Sequence, residues 1–364
     1  MKTVYIDDDE KELQKYKSIF EMHCNSRDKF EIIPIKAQNG FEQLIKEVKS
    51  ENPQLILIDL KLEKPSESGQ VFETSGAPLS TAFKEIFPDI PVVLFTKQDL
   101  FGEKIYPSQV LLSADTIVYK SDIFENEGEA LNFLYNFAKG FETLRNNHSK
   151  KWDDILKIIQ APENDKDLLK LSKPPNLSIN RWSVSEIANW IVNVLIKYPG
   201  ILYDSVHAAT FLGISNEDFR SMCFEKFFSS AKYYGVFEPT EGRWWKSKIQ
   251  ELAESIMKEE EKNLLIREGF PLAWERVNGI KPQESKCVYS GEFPADWVCY
   301  ILKKPVMIKY SLSYKPDSRP YVMDEARVSF EAIRSGDEVD EELLDPLELE
   351  IFNEIRSYKG EGKH

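Results

Sequence analysis

Short, wholly apolar runs separated by amphipathic stretches dominate the first 147 residues. Residues 4–6, 30–37, 55–58 (LILI), 91–95 (PVVLF) and 116–119 have the length and composition of strands. Between and after them, residues 10–24, 41–49 and 127–147 carry apolar positions at helical spacing. Strands that are apolar on both faces need cover on both faces. Their alternation with helices therefore predicts an α/β unit built on a parallel sheet.

The pattern changes after residue 150. Ser183 with Glu186 three residues on is a helix-capping pair. Ile187, Trp190, Ile191, Val194 and Leu195 follow at helical spacing. Further helices are predicted over 205–212, 216–234 and 244–267, then strands over 297–301, 306–311 and 326–333. This half reads as mostly α, an α+β unit. An acidic stretch, 337–342, precedes a short final helix announced by Asp345 and Pro346, with Leu347, Ile351 and Ile355 on one face. All seven tryptophans lie beyond residue 150, and residues 161–180 are polar with three prolines. These shifts predict a first domain over 1–147, a linker over 148–180, a second domain over 181–335 and an acidic tail over 336–364.

Composition narrows the function. The chain has 364 residues, room for two ordinary domains. Hydrophobic residues make up 42% and the mean hydropathy is -0.41. No apolar run approaches the roughly 18 residues of a membrane helix, and three aspartates interrupt the N-terminus before a signal-peptide core develops. A cytoplasmic protein without membrane contact is expected. The formal net charge of -14 disfavours binding to phosphate backbones. The four cysteines, Cys24, Cys223, Cys287 and Cys299, form no C-x-x-C pair. Cys287 and Cys299 read as buried thiols rather than a zinc site or a disulfide.

The chemistry collects at strand ends. Asp7, Asp8 and Asp9 follow the first strand and Asp59 follows LILI. Open parallel sheets bind ligands beyond the carboxyl ends of their strands, where the strand order reverses. If the first and third strands are neighbours, Asp7, Asp8 and Asp59 meet in one crevice. Crowded carboxylates need a proton or a cation. An all-oxygen donor set without histidine suits magnesium, with room for a phosphoryl group. Thr96 ends VVLFT and offers a hydroxyl. Lys120 ends TIVYK and offers a mobile charge. An aspartate in such company can act as a nucleophile and form an acyl phosphate. Asp9 reads as a helix cap.

Together VYIDDDE, LILIDLKL, VVLFTK and IVYKSD, in that order on predicted strands, resemble the strand-end motifs of the receiver (CheY-like) family. The resemblance covers about residues 1–147. It implies a flavodoxin-like, doubly wound, five-stranded parallel sheet with Asp59 as phosphoacceptor. It also implies Thr96 as switch hydroxyl, Lys120 as the family's lysine, and a sensor histidine kinase or phosphotransfer protein as donor. Magnesium would be held directly by Asp8, Asp59 and the main-chain carbonyl of Lys61, with Asp7 acting through water. Three positions depart from the family. Ser121 stands where proline is frequent, Ile117 stands where an aromatic residue is usual, and segment 61–76 is longer than expected. That segment reads as a tolerated insertion, with a partner-contact loop as the alternative.

The second half resembles no common output family and shows no catalytic motif. His148, His207 and His364 have no nucleophile partner by motif. Residues 207–219 read as a packing hairpin around Gly213, with a helix-turn-helix as the alternative. Arg243, Trp244, Trp245, Lys246 and Lys248 read as core aromatics edged by cations, with base stacking in a winged-helix variant as the alternative. The expected function is a response regulator with a non-enzymatic, protein-interacting output. A phosphate sink or adaptor, a DNA-binding regulator and an unrecognised catalytic output domain are the other readings.

Overall fold

The computed structural model describes residues 1–22, 30–38, 40–62, 72, 74–97, 113–125, 127–147, 151–174, 183–337 and 339–357. Cys24, His148, His364 and most of segment 61–76 lie outside these residues. The chain forms two compact units that exchange segments. One comprises Met1–Ile158 with Pro174–Trp190, and the other Ile159–Lys173 with Ile191–His364.

In the first unit the predicted strands form one parallel sheet. They are β1 (Lys2–Asp7), β2 (Glu31–Lys36), β3 (Leu55–Ile58), β4 (Val92–Thr96) and β5 (Thr116–Tyr119). The order is β2-β1-β3-β4-β5, the flavodoxin-like order expected from the motifs. Its helices are α1 (Glu10–Met22), α2 (Phe41–Glu51), α3 (Gly76–Ile86), α4 (Asp122–Glu125) and α5 (Glu127–Asn146).

Alternation along β1 explains the two-sided burial. Val4 and Ile6 join Ile56, Ile58, Leu44, Val48, Leu79 and Phe83 in one core. Tyr5 points the other way, edge-on to Tyr16 of α1 at 6.0 Å and to Phe95 of β4 at 5.6 Å. Such edge-to-face contacts suit the ring quadrupole.

The expected boundaries at 147/148 and 180/181 differ from this division because buried contacts tie the intervening pieces to opposite units. The helix α6 (Trp152–Ile158) stays with the first unit, where Trp152 packs on Trp190 at 5.2 Å. After it, α7 (Lys166–Ser172) belongs to the second unit. There Ser247 donates to Asp165 at 2.6 Å. In the first unit again, α8 (Val184–Trp190) starts with the predicted cap, Ser183 N–H donating to Glu186 at 2.7 Å.

Ser185 of α8 anchors this returning segment by donating to the buried carboxylate of Asp115. Asp115 also accepts from Val92 N–H at 2.8 Å and pairs with Lys84 at 3.2 Å. Burial raises its pKa against the opposing pull of Lys84 and Ser185. Ser185→Ala should therefore destabilise the first unit by about 1–3 kcal/mol. It should also speed amide exchange in 184–190. Unchanged exchange there would show that the anchor lies elsewhere.

The second unit is α+β, as expected, but more broken. It contains β6 (Leu202–Tyr203), α9 (Ser205–Leu212), α10 (Asn216–Phe219), α11 (Met222–Phe227), β7 (Trp244–Trp245), α12 (Lys246–Ile256), α13 (Glu259–Lys262) and α14 (Ile266–Asn278). The predicted helix 216–234 breaks at Arg220–Ser221. The break lets Phe219, Phe224 and Phe228 all reach one core. The predicted helix 244–267 begins instead as a strand, because Trp244 and Trp245 pair antiparallel with Tyr203 and Leu202. Lys232 bridges to Trp244 as well.

Beyond these lie β8 (Trp297–Val298), β9 (Pro305–Val306), β10 (Ser311–Tyr314), β11 (Ala326–Ser329), α15 (Phe330–Ser335) and α16 (Leu349–Ser357). Helix α15 replaces the end of the strand predicted over 326–333, and the Ser329 side chain caps its first turn. Cys287 and Cys299 are buried free thiols, and Cys223 is free and exposed. No helix among the described residues is long and apolar enough to cross a membrane.

Candidate functional site at the strand ends

Strands β1 and β3 run side by side, with Ile6 opposite Ile58. β1 ends on Asp7, and β3 continues by one residue into Asp59. Asp59 N–H donates to Ile6 O at 2.9 Å, extending the ladder, so Asp7 and Asp59 emerge as neighbours. Strand β4 ends at Thr96, which is paired with Tyr119 of β5. The next ladder bond, Lys120 N–H to Thr96 O at 2.6 Å, brings Lys120 to the same edge. This is the point where the strand order reverses, as it runs from β1 to β2 on one side and to β3 on the other.

Lys120 sits at the centre. Its Nζ lies 2.5 Å from Asp59 Oδ1, 3.1 Å from Asp7 Oδ2 and 3.9 Å from Glu12. The rings of Tyr5, Tyr16 and Phe95 surround the ammonium at 5.6, 5.3 and 5.6 Å, which suits a cation over aromatic faces. Asp7 also accepts from the Tyr5 hydroxyl and, at 2.9 Å, from Asp9 N–H. Asp59 Oδ2 accepts from Lys61 N–H at 2.8 Å. Asp9 accepts from Lys11 N–H at 3.0 Å, the capping role read from its position.

Burial, opposed by Lys120 and reinforced by Asp7, pushes Asp59 up to about 6. The pair Asp59 and Asp7 raises Lys120 despite its burial. Asp59 is thus a carboxylate at neutral pH and a carboxylic acid below. A carbon-13 titration of its side chain, without metal, should show a midpoint near 6. A midpoint at the ordinary carboxylate value of about 3.9 would contradict this environment.

Lys120 contacts both Asp7 and Asp59, and Asp8 is buried beside them in sequence. The Thr96 hydroxyl is fully buried at the same edge with no hydrogen-bond partner among the described residues. Lys61 reaches Asp59 through its amide. No cluster of three or more His, Cys, Asp or Glu side chains is arranged for metal among the described residues. A cation here would rest on two carboxylates, a main-chain oxygen and water, the sparse set that magnesium accepts. The all-oxygen donors and the orphaned Thr96 hydroxyl fit magnesium with a phosphoryl group.

Four neighbours escaped the sequence reading. Tyr5 was legible in principle, since period-two alternation puts it on the face of Asp7. Tyr16 and Glu12 depend on how α1 lies against the sheet. Gly76, the first residue of α3, lies across the backbone of Asp59. A Cβ there would sit 2.0 Å from Asp59 O and 2.8 Å from Leu60 Cα. The uncertain length of segment 61–76 hid that role.

In the second unit, Trp244 and Trp245 are buried. Arg243 donates to the carbonyls of Ile196 and Gly242 at 3.2 and 2.8 Å. Of the two readings left open for this cluster, the core one accounts for these positions, and it leaves no free ring face for a base.

No family model matches the chain, and no curated protein matches it. Among solved structures it is similar to a response regulator receiver domain protein from Clostridium thermocellum. That match has 20% identity and a TM-score of 0.28, and covers 38% of this chain and 96% of the other. It is similar to the response regulator TrrA from Thermotoga maritima in complex with Mg(2+)-BeF, at 20% identity and a TM-score of 0.27, covering 36% and 97%. It is also similar to RcsB from Salmonella enterica serovar Typhimurium bound to promoter rprA, at 17% identity and a TM-score of 0.28, covering 52% and 99%. Response regulator receiver domains are thus among the solved structures the chain is similar to, over about 38% of its length.

Proposed function

We propose that this protein is a cytoplasmic two-component response regulator that accepts a phosphoryl group on Asp59 and signals through a non-enzymatic, protein-interacting second unit. The observation that carries the reading is the contact of Asp59, Asp7 and Lys120 beside an unpartnered, buried Thr96 hydroxyl at the strand-order reversal.

The reaction follows from these groups. An Asp59 oxygen forms the new bond to phosphorus. The bond from phosphorus to the donor, a phosphohistidine of a sensor kinase or phosphotransfer protein, breaks, and its electron pair leaves with the donor. Lys120 keeps Asp59 ionised before transfer and faces the added negative charge afterwards. The Thr96 hydroxyl then has an acceptor, a phosphoryl oxygen. Asp8, Asp59 and the Lys61 carbonyl, with Asp7 beside them, are the groups that would hold magnesium, which would supply charge neutralisation on the transferring group. The acyl phosphate carries about -1.5 to -2 charge where the carboxylate carried -1, and this change biases the surrounding loops between two populations.

Acetyl phosphate with magnesium tests this. Intact mass should rise by one phosphoryl group, and borohydride reduction, which releases the phosphate, should leave homoserine at position 59. Incorporation at another residue, or none, would overturn the proposal.

A further inference from the structure

The second unit holds a cavity of about 220 Å³ that the phosphoryl chemistry does not use. Its walls come from α9, α12, α14 and β8. Thr210 of α9 also lines it, with its hydroxyl oxygen buried from solvent and without a hydrogen-bond partner among the described residues. The start of α14 is pressed against the end of α9 at Gly213. Its φ is +72°, and a Cβ there would meet Arg267 O at 2.0 Å. That close approach seats Arg267 on the same cavity as Thr210.

The charges lining the cavity do not cancel locally. Lys246 and Asp324 face each other at 3.8 Å, and the Tyr203 hydroxyl donates to Asp324 at 3.0 Å. Arg267 has no ion-pair or hydrogen-bond partner among the described residues. Asp296 has no ion pair among them and accepts from Ile308 N–H at 2.8 Å. One cation and one anion therefore remain unmatched on the same cavity. Tyr203, Phe211 and Trp297 form its apolar part.

These features select a ligand by its charge. A plain anion would meet Asp296 and Asp324. A plain amine would leave Arg267 unmatched. A molecule with one charge of each sign satisfies both, and its apolar body can lie among the rings. The space is below the ~300–1,000 Å³ of drug-sized sites, so the ligand is small. We infer that this cavity binds a free α-amino acid with an apolar side chain, its carboxylate on Arg267 and its ammonium on Asp296. The inference stands apart from the phosphoacceptor reading and gives the second unit a small-molecule input of its own.

Calorimetric titration of the full chain tests it. L-Leucine and L-phenylalanine are the probes, with hydrocinnamate and phenethylamine as one-charge controls. Saturable binding of a zwitterion is expected, with both controls at least about tenfold weaker, as the loss of a charge-assisted hydrogen bond implies. Arg267→Gln and Asp296→Asn should each weaken binding by a similar factor. Arg267→Lys, which keeps the charge, guards against a folding defect and should retain part of the affinity. Hydrocinnamate binding as tightly as phenylalanine overturns the proposal. So does the absence of binding by both amino acids at millimolar concentration, or normal binding by both Arg267→Gln and Asp296→Asn.

Discussion

Asp59→Asn is expected to reduce phosphoryl incorporation from acetyl phosphate to background while leaving the protein folded. Asparagine has nearly the shape of aspartate, and its carbonyl can still accept from Lys61 N–H, but the amide is no nucleophile. Folding should also respond, in a direction the charge environment sets. The Asp59 carboxyl is held near 6, above its ordinary value of 3.8, chiefly by burial. A group held this way protonates more readily in the folded state. Its contribution favours folding at low pH and is lost as pH rises through about 6. Above that, carrying the charge costs at most about 3 kcal/mol, at 1.36 kcal/mol per unit. Asp59→Asn should thus unfold at higher urea than the parent at neutral pH, with the difference shrinking as the pH falls through about 6. A variant that incorporates phosphate normally would move the acceptor elsewhere. A variant less stable than the parent at neutral pH would mean that the Lys120 contact outweighs burial.

Gly76→Ala is the second large effect, and it acts on geometry. The added methyl would lie 2.0 Å from Asp59 O and 2.8 Å from Leu60 Cα. Both contacts are to backbone, which cannot rotate away as a flexible side chain can. Either α3 retreats or the end of β3 shifts. Retreat also strains the bond from Gly76 N–H to Leu60 O, 3.0 Å in the parent. Overpacking of this kind costs about 1–3 kcal/mol. Phosphorylation should slow by at least about tenfold, because about 1 Å of misplacement at a reacting group has effects of that order or larger. Urea unfolding and acetyl phosphate kinetics measure the two separately. Stability lost with normal kinetics would mean that α3 alone absorbs the methyl.

Much of the first unit was legible before any coordinates. LILI is apolar at four successive positions, so it has no face to show to water, and it became the buried strand β3. Asp7, Asp59, Thr96 and Lys120 were readable because each is the residue that ends or follows an apolar strand, and parallel strands deliver such residues to one edge. The second unit was less legible. Trp244 and Trp245 fit a helical face as well as a strand, and only the pairing with Leu202 and Tyr203 decided between them. Residues 159–173 and 174–190 read as a linker and the start of a second domain. They divide between the two units through Asp165–Ser247 and Ser185–Asp115. Neither contact has a local signal, because the partners lie 82 and 70 residues apart.

The sequence by itself determined the strand-ending acid, hydroxyl and lysine chemistry, because hydrophobic periodicity is local and each functional residue is its immediate neighbour. Tertiary structure alone decided the setting of that chemistry. It placed Lys120 in a box of Tyr5, Tyr16 and Phe95, pushed Asp59 up to about 6, and laid Gly76 across the Asp59 backbone. The physical reason is that burial, charge proximity and steric contact depend on which distant segments meet, and the periodicity of a single segment carries no record of its partner.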